Sequence, residues 1–238
     1  MAPSTAIILA GGLGTRLRPL TYTTPKHLLP VQNKVLVEHI LDILKKNSVT
    51  EVVLSLQYMA DKVKAYFGDG KKLGVNISYL VEKEPMGTAG PLILLKRTGK
   101  MFAEDFYMVN GDNLFNINLR KMIAVHHKNK ALGTIALTET EDVSRFGVVE
   151  LKGERIMRFV EKPKLEEAPS HLINSGYYLL SPKVLDYVDE TKTFLMMEKD
   201  IFPVLAKEGK LFGYPDKGQW FDTGTFEQYE EVKKSWKL

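Results

Sequence analysis

Short apolar runs alternate with amphipathic stretches through the first half of the chain. Residues 6–10 are continuously apolar, the pattern of a strand buried on both faces. Residues 35–46 place apolar side chains at 36, 37, 40, 41, 43 and 44, the spacing of a helix with one buried stripe. Strands follow at 51–56, 75–81 and 106–109, with helical patterns at 59–67 and 88–96 between them. This alternation predicts right-handed crossovers and an α/β fold, a Rossmann-like, mostly parallel sheet flanked by helices. Beyond residue 119 the pattern loosens. Strands are expected at 132–137, 147–151, 158–160 and 177–180, and helices at 195–207 and 225–237. No Pro/Gly/Ser-rich linker and no internal repeat divides the chain, so a single domain over 1–238 is expected.

Composition narrows the class. With 44% hydrophobic and 26% charged residues in 238, the chain is neither disordered, collagen-like nor a coiled coil. It has no cysteine, which excludes thiol nucleophiles, zinc–thiolate sites and iron–sulfur clusters. The net charge of +4 comes without an arginine-rich arm, so no nucleic-acid partner is expected. The apolar run at 7–10 is too short for a signal peptide or a membrane span; no membrane association and a cytoplasmic location are expected.

The candidate chemistry begins directly after the first strand. Gly11, Gly12 and Gly14 are followed by Arg16, Arg18 and Lys26. Glycines at a strand end let backbone N–H groups approach an anion, and the cations suit phosphate. The dinucleotide fingerprint fails because Leu17 stands where its third glycine belongs, and no Gly-Lys-[Ser/Thr] of a Walker A loop is present. His126 and His127 lie at a polar helix end without a third ligand in spacing, so a solvated face is expected there and not zinc.

The run Leu9-Ala-Gly-Gly-Leu-Gly-Thr-Arg-Leu-Arg-Pro-Leu-Thr21 with Pro25-Lys26 resembles the signature of the sugar-1-phosphate nucleotidylyltransferases, the NDP-sugar pyrophosphorylases. Glu84–Pro91, Gly111-Asp112, Phe146–Val149, Phe159–Pro163, Asn174–Gly176 and Trp220–Gly224 follow in the order of that family, so the resemblance covers nearly the whole chain. It implies a nucleotide-binding half over about 1–118 and a sugar-binding half over about 119–238. The implied reaction joins an NTP and a hexose 1-phosphate to give an NDP-hexose and pyrophosphate.

Both reactants are polyanions, so positioning and charge stabilisation carry the catalysis. By resemblance, Arg16 holds the β- and γ-phosphates, Lys26 the α-phosphate region and Lys162 the sugar phosphate; these and Asp112 form the catalytic set. Asp112 and Asp222 are the expected Mg²⁺ ligands. Leu9, Gly11, Gly12, Gly14, Thr15, Glu82 and Gly87 are expected at the nucleotide, and Gly147, Glu161, Lys162 and Asn174 at the sugar. His27 stands where the family usually has proline, which would loosen the loop or add a donor near phosphate. The hexapeptide repeats of the C-terminal β-helix found in many relatives are absent, so acetyl transfer is not expected. A homodimer is expected by analogy alone.

Gly87–Leu92 and Met197–Pro203 look most like the guanylyltransferase branch acting on mannose 1-phosphate. Glu82 agrees, because an ionised carboxylate only accepts and guanine presents adjacent N1–H and N2–H donors. The expected substrates are therefore GTP and mannose 1-phosphate. Gly111-Asp112-Asn113 resembles the thymidylyl and uridylyl branch, which keeps dTTP or UTP with glucose 1-phosphate as the alternative. A non-catalytic regulatory relative is the third reading; retention of Arg16, Lys26, Asp112, Lys162 and Asp222 argues against it. A transferase for a phosphorylated alcohol would not need the sugar-side set around Glu161 and Asn174.

Overall fold

The computed structural model describes residues 2–99 and 102–237. Its strands are β1 (Thr5–Ala10), β2 (Pro30–Val31), β3 (Lys34–Val35), β4 (Glu51–Leu56), β5 (Asn76–Val81), β6 (Phe106–Asn110), β7 (Asn113–Phe115), β8 (Gly133–Glu139), β9 (Gly147–Lys152), β10 (Arg155–Glu161), β11 (Leu172–Leu180), β12 (Leu211–Pro215) and β13 (Trp220–Asp222). Its α-helices are α1 (Leu36–Lys45), α2 (Ala60–Phe67), α3 (Gly90–Arg97), α4 (Leu119–Lys128), α5 (Phe202–Lys207) and α6 (Phe226–Ser235). The chain folds into two compact units. Unit 1 holds residues up to 84, 109–117 and 218 onward; unit 2 holds 85–108 and 118–217.

Unit 1 carries the parallel strands that the alternation predicts. β1 runs parallel to β4 with Thr5 opposite Glu51, and β4 runs parallel to β5 with Glu51 opposite Asn76. Helix α1 buries Leu36, Val37, Ile40, Leu41, Ile43 and Leu44, the expected stripe. The C-terminal segment belongs to this unit. Trp236, fully buried, donates its indole N–H to His39 Nδ1 at 3.1 Å. Indole only donates, so Nδ1 accepts and His39 Nε2–H donates to the Val31 carbonyl at 2.8 Å. The Tyr229 hydroxyl donates to the Pro30 carbonyl at 2.6 Å. Antiparallel pairing of β7 with β13 sets Asp222 opposite Asn113.

Unit 2 is built differently. Its strand order is β11-β8-β12-β10-β9, and only the β8–β12 pair is parallel. The loosened pattern after residue 119 accompanies this change to mostly antiparallel pairing, in which β9 and β10 join by a short turn without a crossover helix. The helix expected at 195–207 is two pieces, a π-turn at Met197–Ile201 and then α5, with Pro203 in the first turn of α5.

The histidine pair departs from expectation. His127 is exposed, but His126 is only 2% exposed and its Nδ1 pairs with the Thr134 hydroxyl at 2.8 Å. Burial pushes the His126 pKa down to about 4, against the nearby Asp105 carboxylate, which raises it. A folded value below the ordinary 6.5 means that the unfolded chain binds the extra proton. Stability is therefore full above pH 6.5 and declines as pH falls toward 4, by up to roughly 3 kcal/mol from this residue. His27, also pushed down to about 4, steepens the same decline. Urea midpoints measured between pH 7 and 4 are expected to fall, and His126→Gln to flatten part of that fall. An unchanged slope in His126→Gln would refute the assignment.

Candidate active site

In unit 1 the loop after β1 is shaped by local sterics. Gly14 has φ 62°, and a Cβ there would lie 2.8 Å from Thr21 Cγ2. The Thr21 hydroxyl donates to the Gly14 carbonyl at 2.7 Å and holds the loop closed. Gly11, Gly12, Thr15 and Arg16 all lie on this loop, and Arg16 is exposed. Leu9 ends its approach, and its carbonyl accepts the Gly111 N–H at 2.9 Å.

Lys26 is 5% exposed, yet its ammonium reaches Asp112 Oδ2 at 2.7 Å. Burial opposes ionisation of Asp112, but the Lys26 ammonium outweighs it and holds the carboxyl below the usual range. Asp112 is thus an ionised carboxylate with 37% of its side chain still exposed. Thr223 fastens the neighbouring strand end: its N–H and hydroxyl both donate to the Asp112 carbonyl, at 3.0 and 2.8 Å. This clamp and the β7–β13 register bring Asp222 beside Asp112. A Cβ on Gly224 would stand 2.9 Å from both Arg16 Nη2 and Asp222 Oδ1, so glycine there leaves room for the two groups to converge.

His27 does not add a charged donor. It is buried, and burial leaves it neutral at pH 7. Its ring packs on Gly111, where a Cβ would come 3.0 Å from His27 Cδ2. It lies buried in the Lys26–Leu28 turn.

Among the described residues no group of three histidine, cysteine or carboxylate donors is placed to hold a metal. Mg²⁺ takes one or two carboxylates and completes its shell with substrate phosphates and water. Asp112 and Asp222, two hard carboxylates on adjoining strand ends, fit such an ion.

At the end of β5, Glu82 accepts the Ser55 hydroxyl at 3.1 Å and is half-buried. Gln57, not singled out from the sequence, follows β4 and packs on Gly11, where a Cβ would lie 3.3 Å from Gln57 Cβ. A position directly after a parallel strand was the signal available for it.

Unit 2 holds Gly87, Gly147, Glu161, Lys162 and Asn174. A Cβ on Gly147 would stand 2.4 Å from Phe159 Cζ and 3.0 Å from Glu161 Oε2, so backbone there comes close to the Glu161 carboxylate. Lys162 has φ 49°, a left-handed conformation that costs a non-glycine residue about 1–2 kcal/mol. The Lys162 N–H donates to the Phe146 carbonyl at 2.9 Å, which holds the strained residue in place. Its side chain is 63% exposed, with Nζ 3.7 Å from Glu161 Oε1. Asn174 Oδ1 accepts the Gly176 N–H and its amide donates to the Tyr178 hydroxyl, both at 2.9 Å. Those bonds leave one amide hydrogen and one lone pair for a ligand.

A glycine-rich loop after the first parallel strand, with an arginine, a buried lysine and two adjoining aspartates, gathers backbone N–H groups and cations that can meet an anion. The chain belongs to the nucleotidyl transferase family, whose model matches residues 5–237. It is 43% identical over 222 residues to the mannose-1-phosphate guanyltransferase beta-B of Xenopus laevis, covering 92% of this chain and 61% of that protein. The chain thus spans about three fifths of the length of the curated relatives it matches. A crystal structure of a candidate glucose-1-phosphate thymidylyltransferase from Bacillus anthracis, in complex with a sucrose, superposes with a TM-score of 0.86 at 31% identity. It covers 96% of this chain and 93% of that one. HddC from Yersinia pseudotuberculosis, complexed with GMP-PN, gives a TM-score of 0.79 at 26% identity, covering 98% and 99%. The family resemblance and the α/β fold of the nucleotide-sugar transferases are therefore borne out. No helix among the described residues is long and apolar enough to cross a membrane.

Proposed function

We propose that this chain catalyses nucleotidyl transfer from an NTP to a hexose 1-phosphate, with GTP and mannose 1-phosphate as its preferred pair. The observation that carries the reading is the unit 1 constellation of Arg16, Lys26, Asp112 and Asp222, joined by the Lys26–Asp112 ion pair and the Thr223 clamp. In the reaction an oxygen of the sugar phosphate attacks the α-phosphorus in line, and pyrophosphate leaves. Arg16 presents a fork of donors to the β- and γ-phosphates. Lys26 shares its charge between Asp112 and the α-phosphate. Asp112 and Asp222 would hold a Mg²⁺ ion, which would supply neutralising charge to the phosphates. On the sugar side Lys162 grips the phosphate, and Glu161, Asn174 and the Gly147 backbone meet the hydroxyls.

Three facts support guanine. Glu82 is an acceptor at the end of β5, the Xenopus relative is a guanyltransferase, and HddC was solved with GMP-PN. The likeness to the Bacillus anthracis structure favours dTTP and glucose 1-phosphate as the second reading. Pyrophosphate release measured over five NTPs and several hexose 1-phosphates tests both. Glu82→Gln is expected to lower the preference for GTP over dTTP about ten- to hundredfold, because glutamine both donates and accepts. A wild-type preference for dTTP or UTP that Glu82→Gln leaves unchanged would overturn the guanine assignment.

A further inference from the structure

Glu198 is not among the residues that the sequence marks for a role, although the segment around it is. It sits in the π-turn just ahead of α5 and is only 7% exposed. Its Oε2 accepts the Thr88 hydroxyl at 2.5 Å, and Thr88 Oγ1 accepts the Met197 N–H at 2.9 Å. The backbones of the same two segments also pair. Leu195 N–H donates to the Met86 carbonyl and Ala89 N–H to the Leu195 carbonyl, both at 3.0 Å. Gly87, at φ 78°, permits the approach, since a Cβ there would lie 2.3 Å from the Leu195 carbonyl oxygen.

Aromatic packing ties this turn to the sugar-side strands. Phe202 packs its ring on Phe159 of β10 at 5.5 Å and on Tyr178 of β11 at 5.1 Å. β10 ends in Glu161, and the Tyr178 hydroxyl accepts from Asn174. The turn that carries Glu198 is therefore packed against the strand that ends in Glu161.

The charge of Glu198 acts on Glu161. Burial, then the negative charge of Glu198, raise Glu161 above the usual carboxylate range, against Lys162 and Lys199. Burial raises Glu198 as well, against the Thr88 hydroxyl and the Lys162 ammonium. Two desolvated carboxylates that share one mostly exposed lysine add little to folding. Such pairs gather at ligand sites.

We propose that Glu198 is a second hydroxyl-recognising carboxylate of the hexose subsite, acting beside Glu161 to set which hexose 1-phosphate is accepted. The proposal rests on the reading of Lys162 as the sugar-phosphate grip. When the phosphate takes up the Lys162 charge, the two carboxylates turn to the O–H donors of the sugar. Ionised carboxylates only accept, and a hexose offers donors whose directions differ between epimers. Two acceptors in a rigid frame separate epimers, because inverting one hydroxyl strands one buried acceptor.

Glu198→Gln in the full chain keeps the size of the side chain and its acceptor for Thr88. Its KM for the preferred hexose 1-phosphate is expected to rise about tenfold or more, with the NTP KM within about twofold of wild type. Discrimination between mannose 1-phosphate and glucose 1-phosphate is expected to narrow by a similar factor, with Tm unchanged. Saturation-transfer NMR with each sugar phosphate, without NTP, reads binding directly. An active wild type whose discrimination survives Glu198→Gln overturns the proposal. So does a uniform loss with every sugar phosphate accompanied by a lowered Tm, the signature of a strut. Glu198-dependent sugar-phosphate binding in a chain that turns over no NTP would sustain this subsite and overturn the proposed reaction instead.

Discussion

Asp222→Asn is expected to lower turnover at saturating substrates by about a hundredfold or more, with little change in thermal stability. Asparagine keeps the shape of the side chain but replaces an anionic oxygen with an amide, which a hard divalent cation binds weakly. Asp222 lies in the short ribbon β7–β13, whose backbone register survives the substitution. The check has two parts. Turnover is measured across a Mg²⁺ titration, and Mn²⁺ binding is followed by electron paramagnetic resonance. The variant is expected to need far more metal for half-maximal rate and to lose Mn²⁺ affinity in parallel. Near-normal rate and metal affinity would remove Asp222 from the metal site. Asp112→Asn is expected to match the kinetic loss and also to destabilise the fold, because it strips the nearly buried Lys26 ammonium of its partner. The difference in Tm between the two variants separates metal ligation from ion pairing.

Arg16→Ala is expected to reduce kcat about 10²- to 10³-fold while changing the KM for sugar phosphate less than about threefold. The guanidinium is exposed at the rim of the glycine loop in unit 1, near the Asp222 carboxylate, whereas the residues proposed for the sugar belong to unit 2. In the proposed reaction its fork of donors would meet the leaving pyrophosphate, on which charge grows in the transition state. Arg16→Lys keeps the charge and loses the fork, so it is expected to recover only part of the rate. A variant with normal kcat and a raised sugar-phosphate KM would move Arg16 from the triphosphate to the sugar phosphate.

The glycine loop, its cations and the unit 1 strands were legible because each depends on neighbours in sequence. A buried strand is a short apolar run, α1 is a period of 3.6, and the glycine loop is glycines at the end of a strand. The antiparallel pairing of unit 2 was not legible, since period-2 patterns do not say which strands become partners or in which direction. His126 shows the same limit. Beside His127 it reads as polar surface, yet the turn of α4 points it at Thr134 of β8.

Chemistry that rests on residue type was set by the chain alone: which side chains carry charge, which accept or donate, and where glycine frees the backbone. Tertiary structure decided which of these groups meet. Asp112 and Asp222 are joined by a strand pairing and the Thr223 clamp across more than a hundred residues. The turn that carries Glu198 is packed on β10 through Phe202 and on the Gly87 turn, and His27 is made neutral by the packing around it. Local periodicity encodes elements. Long-range strand pairing and burial set distances and desolvation, and only these turn separate charged residues into a site.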